Sequence, residues 1–148
     1  MYGEDNIILI NEVDKNERIS SQEDGIHMTN MLKVHLHHIH NELDLYNRSH
    51  DEVYLMEAGE KVWVAYKFLL EQLSGTKIHS HETTRALSHI YGKNNARLRQ
   101  LYEIADDLHR FHYAGRGDYN IIVEKIHRAE NLLNIEINQH NSRGGDNQ

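Results

Sequence analysis

Apolar residues recur at steps of three and four through most of this chain, and no proline interrupts them. This spacing gathers apolar side chains on one side of an α-helix. Proline breaks helices, so its absence favours long helices that are joined by short turns. The pattern therefore predicts an all-α fold. We expect an antiparallel bundle of about five helices, because short loops force neighbouring helices to reverse direction.

Capping and turn residues set the ends of the five predicted helices. Ser80 is a good N-cap for the third helix, and Gly75 and Gly92 are natural stops. The predicted helices cover about residues 29–47, 51–74, 81–91, 94–113 and 118–136. The second helix is the most apolar, so we expect it to lie at the centre of the bundle.

The two ends of the chain have a different composition from this body. Residues 1–27 hold seven acidic side chains against Lys15 and Arg18. We expect them to form a flexible acidic leader, in which the apolar run Ile7–Ile10 is a strand or an extended segment. The helical bundle should then occupy residues 28–140. Residues 141–148 are rich in Gly and Asn, and we expect them to form a disordered tail.

Composition also excludes several classes of protein. The net charge of −7 argues against a non-specific nucleic-acid binder, because such proteins present a basic face. There is no cysteine for a disulfide or a thiolate metal site. No apolar run reaches the length of a membrane span, and the first residues lack the order of a secretory signal. We therefore expect a cytoplasmic protein that has no membrane partner.

Two short motifs place polar groups in otherwise apolar helices. The stretch 58–65, Ala-Gly-Glu-Lys-Val-Trp-Val-Ala, puts Glu60, Lys61 and Trp63 in one turn of the second helix. His109 and Tyr113 stand four residues apart near the end of the fourth helix. Helix interiors rarely accept such residues without partners, so both motifs are candidates for a functional site.

These motifs resemble those of the archaeal PaREP family of HEPN-like helical domains. The stretch 58–65 looks like that family's Ala-x-Glu-Lys-x-Trp-x-Ala element, and Ser80-His81 is similar to its Ser-His start. Leu108 to Gly115 is similar to its Leu-His-x-Asn-Phe-Tyr-Glu-Gly element, although Phe111, His112 and Ala114 replace Asn, Phe and Glu. The likeness covers about residues 30–136 and implies a HEPN-like fold.

The wider HEPN group includes ribonucleases, toxins and nucleotide-binding partners of small nucleotidyltransferases. Its nuclease members use an Arg that is followed, after about four to six residues, by a His. The pairs Arg85/His89, Arg110/His112 and Arg99/His109 have three, one and nine residues between them. None has the nuclease spacing, so the resemblance supports the fold more than it supports RNA cleavage.

The topology that we expect would bring several polar residues together. If helices two, three and four run up, down and up, His81 meets His109 and Tyr113 at one end of the bundle, with Lys67 a turn or two below. Imidazole and cationic groups together suit a phosphate-bearing ligand. The candidate ligand-binding residues are Glu60, Lys61, Lys67, His81, His109 and Tyr113. Arg110 and Arg116 add nearby positive charge.

Structural interpretations of the same residues stay open. Trp63 could be core, Lys61 could lie along the surface and His109 could favour the negative end of its helix dipole. The histidine-rich stretch 35–40 invites a metal interpretation, but its i,i+3 pairs face different sides, whereas a closed site needs about four ligands on one side. We therefore predict no metal and no cofactor.

The leading functional prediction is a non-catalytic HEPN-like module that binds a nucleotide or RNA. The resemblance further implies a homodimer, and a role beside a nucleotidyltransferase or in a toxin–antitoxin pair. The alternative is a metal-independent ribonuclease, in which Arg110 or Arg116 stabilises phosphate charge and His109 acts as general base. A structural dimerisation bundle is the third possibility. The first helix carries an apolar stripe that a lone bundle need not cover, which is a second reason to expect a homodimer.

Overall fold

A computed structural model describes the backbone of residues 2–115 and 117–146, and the side chains of residues 25–115 and 117–141. The described residues form helices without any strand, which confirms the predicted all-α class and the helical bundle. The helices are α1 Tyr2–Ser49, α2 Glu52–Ser74, α3 His81–Gly92, α4 Ala96–Ala114 and α5 Tyr119–Asp146.

The first and last helices are longer than predicted. The backbone of α1 is helical from Tyr2, so the expectation of a strand or an extended segment at Ile7–Ile10 is wrong. The last helix continues to Asp146, past its predicted end near residue 136. Neither extension contains a proline that would interrupt the helical hydrogen bonds. Flexibility of the leader and disorder of the tail in solution stay predictions.

Contacts between side chains give the directions of the long helices. Those between α2 and α4 run in opposite order along the two helices, as in the pairs Met56/His112, Glu60/His109 and Tyr66/Tyr102. The same reversal holds for α1 and α2, in Glu42/Lys61 and His35/Phe68, and for α4 and α5, in Asp107/Lys125 and Arg97/Glu136. The four long helices therefore alternate in direction, and α3 lies beside α2 and α4.

The predicted up-down-up order of the second to fourth helices is wrong, because α2 and α4 run in opposite directions. The connection 75–80 explains the difference, because it does not simply reverse the direction of the chain at the end of α2. Its six residues can span about 20 Å when extended. They carry the chain back along α2, so that α3 begins beside Trp63, roughly 16 Å below the end of α2.

Helix α2 lies at the centre of the bundle, as its apolar sequence predicts. It contacts each of the other four helices. Its residues Leu55, Val62, Ala65, Tyr66 and Leu69 have no exposed surface at all. Burial on several sides is what a uniformly apolar helix requires.

A buried chain of hydroxyl groups fastens the short helix α3 to α2. Ser88 donates to the carbonyl oxygen of Thr84 over 2.6 Å. Since a hydroxyl has one proton, the neighbouring Tyr66 hydroxyl donates in turn to the Ser88 oxygen. Burial raises the pKa of Tyr66, which keeps this phenol protonated as a donor.

We predict that Ser88→Ala is more harmful than Tyr66→Phe. The first change leaves a buried phenol without an acceptor, which costs about 1–3 kcal/mol, whereas the second leaves the Ser88 hydroxyl bonded to Thr84. The double variant should lose less than the sum of the two single losses, because both partners are then absent. Chemical denaturation of the four proteins measures these losses, and strict additivity would contradict the shared hydrogen bond.

A buried ion pair joins α4 to α5. Glu136 is 4 % exposed, and its carboxylate lies 3.5 Å from Arg97 Nε and 3.5 Å from His140 Nε2. Burial alone would raise the pKa of Glu136, but His140 and the charge of Arg97 together outweigh burial and lower it. The charged carboxylate is therefore favoured by folding.

The lowered pKa makes folding stability depend on acid pH. A carboxyl group whose pKa falls on folding stabilises the protein above its ordinary value of 4.5, and that contribution disappears as pH falls through the folded pKa. Glu136→Gln should therefore destabilise the protein at pH 7, and the difference from wild type should shrink below about pH 4.5. Unfolding curves against pH measure it. Glu124→Gln, an exposed change on the same helix, is the control and should show no such trend.

Candidate functional site

Four rings from three helices meet around Trp63. The rings of His81 and His109 lie 5.1 and 4.6 Å from Trp63, and 5.0 Å from each other, so the three form a triangle. Tyr113 adds its ring edge-on to His109 at 4.9 Å. We call these four residues the ring cluster. The structure thus brings together His81, His109 and Tyr113, although the helix directions differ from those expected.

Local structure explains how each ring reaches the cluster. At Gly59 α4 packs closely on the backbone of α2, where an added Cβ would lie in contact with the Leu108 side chain at 3.4 Å. Glu60, which follows Gly59 on α2, and His109, which follows Leu108 on α4, are then neighbours. On α3, the Ser80 hydroxyl accepts the amide of Thr83 and so starts the helix at His81.

Glu60 orients the imidazole of His109 through a hydrogen bond. Its carboxylate oxygen lies 2.7 Å from His109 Nδ1, and the two side chains are 23 % and 11 % exposed. An ionised carboxylate can only accept, so Nδ1 carries the shared proton. The imidazole therefore presents Nε2 as its free nitrogen.

The ring cluster has a buried floor and an exposed rim. Trp63 is 4 % exposed, whereas Tyr113 is 75 % exposed and His81 is also open to solvent. The rings of His81 and Tyr113 border an open depression that His109, Arg110 and Ala114 complete. A flat ligand can reach two of the rings without any movement of the helices.

The predicted lysines do not join the ring cluster. Lys61 points to α1, where its ammonium group lies 2.6 Å from Glu42. Lys67 is half-buried one turn beyond Trp63, and no ion pair of Lys67 occurs among the described side chains. The structure therefore separates Lys61 from its sequence neighbour Glu60.

The predicted arginines contribute less charge than expected. Arg110 lies at the depression, but its guanidinium group contacts Asp106 at 2.7 Å and Asp107 at 3.1 Å. Arg116, the second arginine of the ribonuclease interpretation, lies outside the described residues. Within the described part of the site, rings rather than free cations dominate.

Two features of the site were not predicted from the sequence. Trp63 belongs to a candidate motif but is not among the predicted ligand-binding residues, although its i,i+3 spacing from Glu60 places both on one helix face. His112 supports Tyr113 with an edge-on ring at 5.3 Å and approaches the carbonyl oxygen of Met56 at 3.3 Å. No sequence pattern indicated this second role, because it depends on how α4 packs on α2.

The histidines of residues 35–40 point to different neighbours. The His35 ring lies 5.3 Å from Phe68 of α2, and burial lowers the pKa of His35. His37 contacts Asn41, and His40 lies 3.6 Å from Glu130 of α5. Among the side chains that the structure describes, no three His, Asp or Glu residues are placed to hold a metal ion.

Comparison with known proteins gives no identification. No family model, curated protein or solved structure matches this chain significantly. The likeness to PaREP and HEPN-like domains therefore stays a prediction from the motif residues. None of the described helices offers a stretch that is both long and apolar enough to cross a membrane.

The ring cluster predicts a fluorescence change when one of its imidazoles is removed. Trp63 is the single tryptophan of the chain, and the rings of His81 and His109 stack on it. His81→Ala should therefore change the intensity or wavelength of Trp63 emission, whereas His79→Ala, an exposed change in the preceding loop, should not. Emission that His81→Ala leaves unchanged would contradict the stacked arrangement.

Proposed function

We propose that this chain is a non-catalytic, HEPN-like module that binds a nucleotide or single-stranded RNA at the ring cluster. The supporting observation is the group of four adjoining rings, of which His81 and Tyr113 are exposed. Unpaired bases stack on aromatic and histidine side chains, and each stacked base contributes about 1–3 kcal/mol.

The site favours recognition of a base over recognition of a phosphate alone. Arg110, the cation that lines the depression, is neutralised by Asp106 and Asp107. The imidazoles and the Tyr113 hydroxyl group can donate or accept hydrogen bonds at the edge of a base. Stacking and hydrogen bonding, rather than charge, are therefore the main attractions at this position.

A metal-independent ribonuclease is the second candidate, and the Glu60–His109 contact favours it. Glu60 orients His109 so that Nε2 can take the proton of an attacking 2′-hydroxyl group. His81, with its ring 5.0 Å away, could return a proton to the departing 5′-oxygen. No free arginine stabilises phosphate charge at this place among the described side chains, and this weakens the catalytic proposal.

The proposed assembly and partners rest on the family resemblance alone. The apolar stripe of α1 was one reason to expect a homodimer, but Leu32, Ile39 and Leu43 are buried within a single chain. The stripe is therefore no longer an argument for pairing. A nucleotidyltransferase or toxin–antitoxin partner, and a cytoplasmic location, stay proposals.

Mononucleotide binding tests the proposed function. Titration with AMP, GMP, CMP or UMP should change Trp63 emission, because a bound base adds a ring to the cluster. Tyr113→Ala should weaken binding about tenfold or more, from the loss of one stacking partner. Tyr113→Phe keeps the ring and should bind normally, as should His79→Ala.

RNA integrity separates the two candidates in the same experiment. If the module is non-catalytic, an oligoribonucleotide should stay intact during long incubation with a metal chelator. Binding that ignores Tyr113→Ala would contradict the proposed site. Metal-free cleavage that His109→Ala abolishes would contradict the proposed function and favour the ribonuclease instead.

A further inference from the structure

Helices α3 and α4 pack side by side in opposite directions, and we call the surface seam between them the groove. At one end His81 faces His109, and at the other Arg99 donates to the carbonyl oxygen of Gly92. Helix α3 has 12 residues, so the groove is about 18 Å long. The ring cluster occupies only its first end.

A second pocket occupies the other end of the groove. It is lined mainly by charged and aromatic side chains of the two helices and their connection, among them Arg85, His89, Lys93, Arg99, Tyr102 and Glu103. We call it the basic pocket. Three permanent cations face one carboxylate here, although the whole chain has a net charge of −7.

Three cations elsewhere in the protein are more closely paired than those of the basic pocket. Lys61, Arg110 and Lys125 each have a carboxylate within 3.1 Å. No ion pair of Arg85, Lys93 or Arg99 is formed among the described side chains. Uncompensated charges that gather in a concave site attract anions.

Arg99 is held in a fixed position within the basic pocket. Its Nη1 atom donates to the carbonyl oxygens of Gly92 and Lys93, at the end of α3. A guanidinium group has five N–H donors, so others stay available after these two bonds. The side chain is therefore ready to bind phosphate oxygens, which match its planar geometry.

We propose that the groove binds a short single strand of RNA, with a base on the ring cluster and the phosphates of neighbouring nucleotides in the basic pocket. This inference rests on the proposed function, since it adds the phosphate contacts that the ring cluster lacks. Tyr102 and His109 are about 10 Å apart along α4. Stacked nucleotides advance about 3.4 Å each, so the ligand must extend over about three nucleotides.

Binding as a function of RNA length tests the proposal. Fluorescence anisotropy of an end-labelled tetranucleotide reports binding anywhere in the groove, and unlabelled mononucleotide competes for the ring cluster. The tetranucleotide should bind at least tenfold more tightly than the mononucleotide. Its affinity should fall as salt rises, with a slope that reflects about 0.7 per phosphate contact.

Charge variants identify the basic pocket as the source of this gain. Arg85→Gln/Lys93→Gln should remove most of the length-dependent gain and leave mononucleotide binding unchanged. Both side chains are exposed, so the fold should tolerate the changes. Lys33→Gln removes an exposed charge from α1, which packs against α2 and α5, and should have no effect. Arg99 is left intact because it supports the end of α3.

The possible failures are distinguishable. Equal affinity for the mononucleotide and the tetranucleotide would contradict binding along the groove and leave the ring cluster as the only proposed site. A length-dependent gain in affinity that survives the double variant would contradict it in the same way. Tetranucleotide binding that depends on Arg85 and Lys93 but ignores Tyr113→Ala would overturn the proposed function. Absence of binding for either ligand would overturn both.

Discussion

The close contact of α4 with α2 at Gly59 determines where the functional groups of this protein lie. Because Leu108 rests on the bare backbone of Gly59, the next residue of each helix, Glu60 and His109, becomes a hydrogen-bonded pair. Antiparallel packing then continues the register to Tyr66 and Tyr102. An alanine Cβ at residue 59 would lie in ordinary contact with Leu108, at 3.4 Å, whereas a longer side chain would have to displace Leu108.

The helices could be predicted from the sequence because they depend on the local spacing of apolar residues. The steps of three and four in α2, and the Ser80 cap, are properties of neighbouring residues. The direction of α3 was not readable in this way. It depends on whether residues 75–80 turn at once or run back along α2, and both options satisfy the same local preferences. The early start of α1 was missed for a related reason, since its acidic composition favoured flexibility while nothing in it forbade a helix.

The candidate site likewise has some features that the sequence predicts and others that depend on how the helices pack. The residue types were predictable, because Glu, His and Tyr are unusual in apolar helices and invite a partner. The balance of charge at the site was not predictable, because it depends on which carboxylate contacts which cation in the folded chain. Arg110 is neutralised by Asp106 and Asp107, and Lys61 by Glu42. The uncompensated charge lies instead near Arg85 and Lys93, which the family resemblance did not indicate.

The hydroxyl chain that fastens α3 gives the groove a property of its own. Helix α3 is the shortest helix, it forms one wall of the groove, and Tyr66 and Ser88 attach it to α2. An occupant that touches both walls binds only while α3 is in place. The opening of α3 and the occupancy of the groove are therefore thermodynamically linked, and each shifts the other by the same free energy. The affinity of this surface is therefore set partly at Ser88, a buried residue that both fastens α3 to α2 and lines the basic pocket.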